Sequence, residues 1–278
     1  MIRSKWISIL SLFLVLVFAA AAWCDLSESE LADILIKAHK ADQKIPVLSA
    51  QSPDLDVQTA YRVQKAYVNQ RLAQDQIAGF KAGLTTEAAQ KQFGLNAPVA
   101  GVLFASGKKK GFPLIEKSAF KNLIIETEIG FLMGKSITQP LKDISELSEY
   151  IQAVMPIIEL PDVGFAQKVS GVDVIAANVA SAKFIIGKES DFKGLDLNNI
   201  FVSLYLEGQE INKGKGADAM GDQWKAAQWL VNTIVQQGWK IEPGQILITG
   251  ALPKAIPGKP GKYIADFGKL GKISFEIK

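Results

Sequence analysis

An α+β fold is what the sequence predicts, on three observations. Helix-period patterns gather within the first 75 residues, short β-period runs dominate from residue 182 onward, and a single strong helical stretch interrupts those runs at about 222–237. Clustered strands with segregated helices argue against the steady βαβ alternation of a doubly wound parallel sheet. The chain has 278 residues, 48% hydrophobic and 21% charged. That is enough for one large domain with a small appendage.

The elements follow in order. Arg3 and Lys5 precede an apolar run over 7–22 that is broken only by Ser8 and Ser11, and Ala19 to Ala22 offer a small-residue cleavage site before Trp23. Residues 1–22 therefore read as a signal peptide and the protein as exported, periplasmic or secreted. Attachment to a membrane is expected only if this segment stays uncleaved, because the run is short for a span. Cys24 follows the bulky Trp23, which does not suit lipid attachment. Residues 23–75 read as a helical N-terminal region. Ser27 and Glu30 form a capping box, and Leu31, Ile34, Leu35 and Ala38 recur at helical spacing. A second helix is predicted over 57–73.

Residues 76–278 read as the main domain. It opens with a strand over 77–84 that contains Lys81, then a helix over 86–93 stopped by Gly94. Pro98-Val99-Ala100-Gly101 reads as a turn before a short strand over 102–104. Further strands are expected at 183–186, 201–206, 246–249, 263–267 and 273–277, with Glu207-Gly208 as a hairpin turn. Asp222 and Gly238 bound the late helix.

Composition excludes several chemistries. One cysteine allows no intrachain disulfide, and one histidine, His39, rules against a histidine zinc cage or a Ser-His-Asp triad. His39 lies in a charged helical segment and reads as a surface residue. The net charge of +3 falls to +1 once Arg3 and Lys5 leave with the signal, so no nucleic-acid partner is expected. Lys108-Lys109-Lys110, followed by Gly111 and Pro113, reads as a solvated loop.

The informative stretch is Leu123-Ile124-Ile125-Glu126-Thr127-Glu128-Ile129-Gly130-Phe131. Ile125, Thr127, Ile129 and Phe131 alternate with Glu126, Glu128 and Gly130, so one face is mostly apolar and the other carries two carboxylates. A second apolar run, Val154-Met155-Pro156-Ile157-Ile158-Glu159, ends in a third. If the two strands are neighbours, Glu126, Glu128 and Glu159 make an oxygen-only pocket suited to a hard cation such as Mg2+ or Mn2+. Two glutamates at i and i+2 are also the ordinary signature of a solvated strand face.

Several motifs in series carry a resemblance. They are Gly79-Phe80-Lys81-Ala82-Gly83-Leu84-Thr85, Pro98-Val99-Ala100-Gly101-Val102-Leu103-Phe104, the two carboxylate strands, Ala177-Asn178, Leu195-Asp196-Leu197, Gly214-Lys215-Gly216-Ala217 and Ile248-Thr249-Gly250-Ala251-Leu252. In this order, over about residues 55–278, the chain resembles the 2-keto-4-pentenoate hydratase family of the fumarylacetoacetate hydrolase superfamily. The resemblance implies a mixed β-roll or sandwich with flanking helices and a small helical N-terminal region. It implies Mg2+ or Mn2+ held by Glu126, Glu128 and Glu159, a small-molecule 2-oxo acid as partner, and a homo-oligomer. It also implies a lyase that hydrates an unsaturated 2-oxo acid of the 2-hydroxypenta-2,4-dienoate type to a 4-hydroxy-2-oxo acid. Lys81 matches the family's lysine and is expected to bind the substrate carboxylate, or to shuttle protons if desolvation lowers its pKa. Thr249 and, more weakly, Ser181 are candidates for substrate binding; a strand-end threonine is also ordinary.

The chain departs from the family at positions around the cradle. Val99 stands where the hydratases carry aspartate, a proposed acid/base, and related decarboxylases carry an apolar residue there. Gly164 stands where the family has arginine, Ala177 replaces an aspartate and Asp222 a histidine. Two other readings therefore stand beside hydration: decarboxylation of a 2-oxo dioate or hydrolysis of an acylpyruvate, and an exported binding protein that keeps the scaffold without turnover.

Overall fold

The computed structural model describes residues 26–278, so the expected signal segment lies outside the described residues. The chain opens with helices α1 (Glu28–Lys40) and α2 (Val57–Arg71). Ser27 and Glu30 complete the capping box, and the Asp56 carboxylate accepts from the Thr59 N–H at the start of α2. These helices are not a loose appendage. Leu31, Leu35, Val63 and Val68 belong to the same continuous apolar core as Phe80, Ile129 and Phe131. The buried Gln64 amide ties α2 to the rest of the molecule, donating to Ala100 O at 2.9 Å and Ile175 O at 2.8 Å.

Next come β1 (Ile77–Gly83), α3 (Glu87–Gln92), β2 (Val99–Phe104), β3 (Lys108–Lys110) and β4 (Leu114–Ile115). They are followed by β5 (Ile124–Met133), α4 (Ile144–Leu147), β6 (Ile151–Leu160), α5 (Gly171–Ala176) and β7 (Lys183–Ile186). The chain ends with β8 (Phe201–Leu206), β9 (Gln209–Lys215), α6 (Gln223–Gln236), β10 (Ile246–Ile248), β11 (Ile256–Pro257), β12 (Gly261–Asp266) and β13 (Lys272–Ile277). The larger sheet has the order β2-β1-β10-β5-β6-β7-β3, with β11 beside β5; the smaller has the order β4-β13-β12-β8-β9. Both are mixed, since β1–β10, β3–β7 and β4–β13 are parallel and the other pairs antiparallel. The α+β expectation holds, and the predicted hairpin forms at Glu207 and Gly208, whose φ values of 48° and 82° suit the two left-handed positions of a tight turn.

Two local expectations are corrected. Residues 99–101 are strand rather than turn: β2 pairs along β1 from Val99, and that pairing outweighs the Pro/Gly turn signal, with Pro98 just outside the ladder where its missing N–H costs nothing. The triple lysine is strand β3, at the edge of the larger sheet beside β7. Lysines on an edge hinder pairing with another chain, so a sequence that reads as a loop serves as a guarded edge. The alternative of a solvated second face on β5 falls, because Glu128 and Gly130 are as buried as Ile129.

One connection is unusual. After α5, Asn178, Val179 and Ala180 all adopt left-handed backbone angles, φ 54°, 52° and 53°. A β-branched valine there is strained, and such strain persists only where the surroundings enforce it. Asn178 supplies the enforcement. Its side-chain oxygen accepts from Val102 N–H at 2.7 Å and its amide donates to Val102 O at 2.9 Å, so it pairs with the edge of β2 much as a strand would. Gly101 leaves room for this, since a Cβ there would come within 3.1 Å of the Val179 side chain.

Candidate metal centre

Register brings the three carboxylates together. In the antiparallel β5–β6 ladder Glu126 lies directly opposite Glu159, and Glu128 lies two residues further along β5 on the same face. Like charges opposite one another on neighbouring strands are destabilising, and more so when buried. Glu128 and Glu159 are fully buried, while Glu126 is partly open to a cavity. One oxygen from each of the three lies within 4.8 Å of the others.

Lys81 joins them from β1. Three strand spacings of about 4.8 Å each, roughly 14 Å, would separate β1 from β6 in a flat sheet. The buried Lys81 ammonium nevertheless hydrogen-bonds and ion-pairs with Glu159 Oε1, so the sheet curls around this face. The ammonium also donates to Val179 O at 3.1 Å, which is what the strained turn presents to the site. With all groups ionised, three carboxylates and one ammonium leave two net negative charges in a buried space.

The hydrogen bonding shows the same deficit. Glu128 Oε2 accepts from Gly250 N–H at 2.6 Å, and Glu159 Oε1 accepts from Lys81. Their other oxygens, Glu128 Oε1 and Glu159 Oε2, are buried with no hydrogen-bond partner. Buried acceptors without partners are rare in native proteins and call for an explanation such as an ion. Two orphaned carboxylate oxygens, a third carboxylate beside them and a surplus of two negative charges together fit a divalent cation with oxygen ligands.

Without such an ion Glu126 and Glu128 favour their protonated forms. Burial, then the charge of Glu159, pushes the Glu126 carboxyl up to about 8. Burial, followed by Glu159 and Glu126, raises Glu128 well above its ordinary value. Burial alone would lower Lys81, but Glu159, Glu126 and Glu128 outweigh it and hold the ammonium above its usual range. In the metal-free protein Lys81 is thus a fixed cation, not the neutral amine that desolvation alone would produce.

A pH dependence follows. Unfolded, Glu126 loses its proton near its ordinary 4.5; folded and metal-free, it keeps it to about 8. Between these values the folded state binds the extra proton, so metal-free stability falls as pH rises through the window, and Glu128 acts in the same direction. A cation that binds the ionised cluster opposes the loss. Melting with and without Mg2+ is expected to show a Mg2+-induced shift that grows from about pH 6 to about pH 8. A shift that shrinks over this range would contradict the assignment.

The other expected site residues are placed differently. Thr249 ends up buried just beyond β10, with its hydroxyl donating to Gln223 Oε1 at 2.7 Å and lying 3.2 Å from Ile129 O. The amide that follows it, Gly250 N–H, binds a carboxylate, but that of Glu128. Gly250 has φ 109°, and a Cβ there would meet the Thr85 side chain at 2.5 Å, so the close approach needs glycine. Ser181 lies on the far side of the left-handed turn and lines a separate cavity of about 370 Å³ with His39 and Arg71, not the one that Lys81 and Glu126 line. Val99 is buried on β2 opposite Gly83. At Gly164 a Cβ would fall 2.1 Å from Lys121 Cβ, which leaves no space there for an arginine. The Gly250 amide and the Val179 carbonyl escape sequence reading, because backbone groups carry no residue signature; Gln223 escapes it because its pairing with Thr249 spans two distant elements.

No family model matches the chain. It is 28% identical over 253 residues to a 2-keto-4-pentenoate hydratase of Paraburkholderia xenovorans (strain LB400), a match that covers 90% of this chain and 94% of the relative. Its fold superposes on the 4-oxalocrotonate decarboxylase from Pseudomonas putida G7, complexed with magnesium and adipate, with a TM-score of 0.85 and 25% identity over 90% of this chain and 97% of the other. A fumarylacetoacetate hydrolase family protein of yeast shares the fold at a TM-score of 0.53 and 15% identity, covering 74% and 93% of the two chains.

Proposed function

This chain is a homologue of the 2-keto-4-pentenoate hydratases with the fold of the fumarylacetoacetate hydrolase superfamily, and from that premise we propose that it is a divalent-metal-dependent lyase that hydrates an unsaturated 2-oxo acid. The observation that carries the reading is the buried three-glutamate cluster with its two orphaned oxygens. Glu126, Glu128 and Glu159 would hold Mg2+ or Mn2+. When bound, the cation would supply Lewis acidity toward the 2-oxo-acid head of the substrate.

The chain's own residues do the rest. Lys81 has three N–H donors, of which Glu159 and Val179 O take two. The third is available to the substrate where Lys81 lines the cavity floor beside Glu126. The pair with Glu159 fixes the ammonium in place, and the apolar wall keeps bulk water from the reacting carbons. Hydration then moves a proton from the 2-hydroxyl to the far end of the diene and adds water across the resulting double bond. The absence of an aspartate at Val99 supports a second reading, decarboxylation, which needs no activated water; the similarity to the decarboxylase of known structure supports it too.

The test is to follow the dienol absorbance of 2-hydroxypenta-2,4-dienoate with the protein and Mg2+ or Mn2+, and to identify the product. Metal-dependent formation of the 4-hydroxy-2-oxo acid, lost in Glu126→Ala/Glu128→Ala, is expected. No consumption of the dienol with metal bound would reject hydration of this substrate.

Export and homo-oligomerisation belong to the same reading. The basic start, apolar run and alanine cluster of residues 1–22 support a cleaved leader. N-terminal sequencing of the exported chain is expected to begin at Trp23, and retention of Met1 would oppose it. Among the described residues no helix is long and apolar enough to cross a membrane.

A further inference from the structure

The cavity above Glu126 and Lys81 has a volume of about 400 Å³ and extends well beyond the carboxylates. Its wall is built by Leu84, Phe93, Val163, Phe165, Val169 and Val174. Phe93, Phe165 and Val169 pack on the core while remaining partly exposed, because one side of each faces the cavity. We propose that the site selects 2-oxo acids whose tail is uncharged, apolar and longer than the short diene of the hydratase reaction. The proposal rests on the functional reading above, because it takes the metal cluster as the seat of the 2-oxo-acid head.

Charge supports the assignment. A tail carboxylate needs a cation or several donors, since an unpaired charge among apolar groups is strongly disfavoured. Arginine is the residue best shaped to grip a carboxylate. Among the described residues the arginines are engaged elsewhere: Arg62 pairs with Glu28, and Arg71 lies over Phe104 and pairs with Asp75. Gly164, where the resembled family carries arginine, has no side chain, and Lys121 crowds its place. The Lys81 ammonium is held by Glu159 at the floor. Of the cationic side chains that line the cavity this leaves Lys168, exposed at its rim beside Gln92 and Gln167.

The experiment measures binding rather than turnover. Calorimetry on the Mg2+-loaded protein compares 2-oxobutyrate, 2-oxohexanoate and 2-oxooctanoate, together with 2-oxoadipate, which matches 2-oxohexanoate in carbon number but ends in a carboxylate. Affinity is expected to rise about two- to fourfold per methylene through 2-oxooctanoate, as burial of a CH2 group gives. The dioate is expected to bind at least about tenfold more weakly than 2-oxohexanoate. Lys168→Ala is expected to change 2-oxoadipate affinity less than about twofold, the size of a rim contact. A flat or falling series, a dioate as tight as its monoacid partner, or a larger loss in Lys168→Ala would each overturn the tail assignment while leaving the metal-and-head reading intact. Failure of 2-oxobutyrate to bind in the presence of Mg2+ would overturn that reading and the inference with it.

Discussion

Lys81→Met destabilises the metal-free protein by about 3–5 kcal/mol near neutral pH and lowers turnover by at least about a thousandfold. The stability loss comes from Glu159. Lys81 is its ion-pair partner, both groups are buried, and the second oxygen of Glu159 already lacks a hydrogen bond. Methionine fills most of the lysine's volume, so the loss measures the missing charge rather than a cavity. Saturating Mg2+ recovers part of the melting temperature, because the cation balances the same carboxylates. Turnover does not recover, since the donor that faces the substrate is gone. Thermal melts with and without Mg2+, alongside kinetics, test all of this. A metal-free variant that melts with the wild type near neutral pH would sink the account of the buried pair.

The opposite sign is expected for Glu128→Gln. The amide oxygen of glutamine can still accept from Gly250 N–H, so the one hydrogen bond of Glu128 survives. What disappears is a buried carboxyl whose ionised form is disfavoured by burial and by Glu159 and Glu126, so that folding no longer has to take up a proton there. The metal-free variant is expected to gain about 0.5–2 kcal/mol near pH 8, the usual yield of relieving a functional site. Metal affinity falls by at least about a hundredfold, beyond the ten- to hundredfold that loss of an outer-sphere partner costs. Calorimetric titration with Mn2+ and a denaturant titration on the same preparation give both numbers. Loss of stability together with retained metal affinity would mean that Glu128 is structural.

These opposed signs bear on what the sequence alone could show. The carboxylates were legible because strand periodicity puts Glu126 and Glu128 on one face and the second run ends in Glu159. Their direct opposition was not legible, since register is a property of the pair of strands. Lys81 was legible as a candidate, but not its distance from the cluster, which depends on curling across β10 and β5. The Thr249 motif pointed to substrate binding, and the turn after it does bind a carboxylate, yet from within the chain. Ser181 lines a different cavity after a three-residue left-handed turn, and nothing in Asn-Val-Ala signals such a turn. Residues 99–101 and 108–110 misled for a related reason. Proline, glycine and lysine runs mark turns and loops locally, whereas pairing with β1 and β7 was decided by distant strands.

The site is divided between two kinds of support. Lys81 and the three candidate metal ligands all come from the larger sheet, from β1, β5 and β6, where hydrogen-bonded register fixes their positions. Much of the cavity wall comes instead from the irregular segment 161–169 that follows β6. For protein engineering this separation is an opportunity. Segment 161–169 can be diversified by cassette mutagenesis to explore new substrates while the ion-binding framework is inherited unchanged, and a library built there should retain Mn2+ affinity across most of its members.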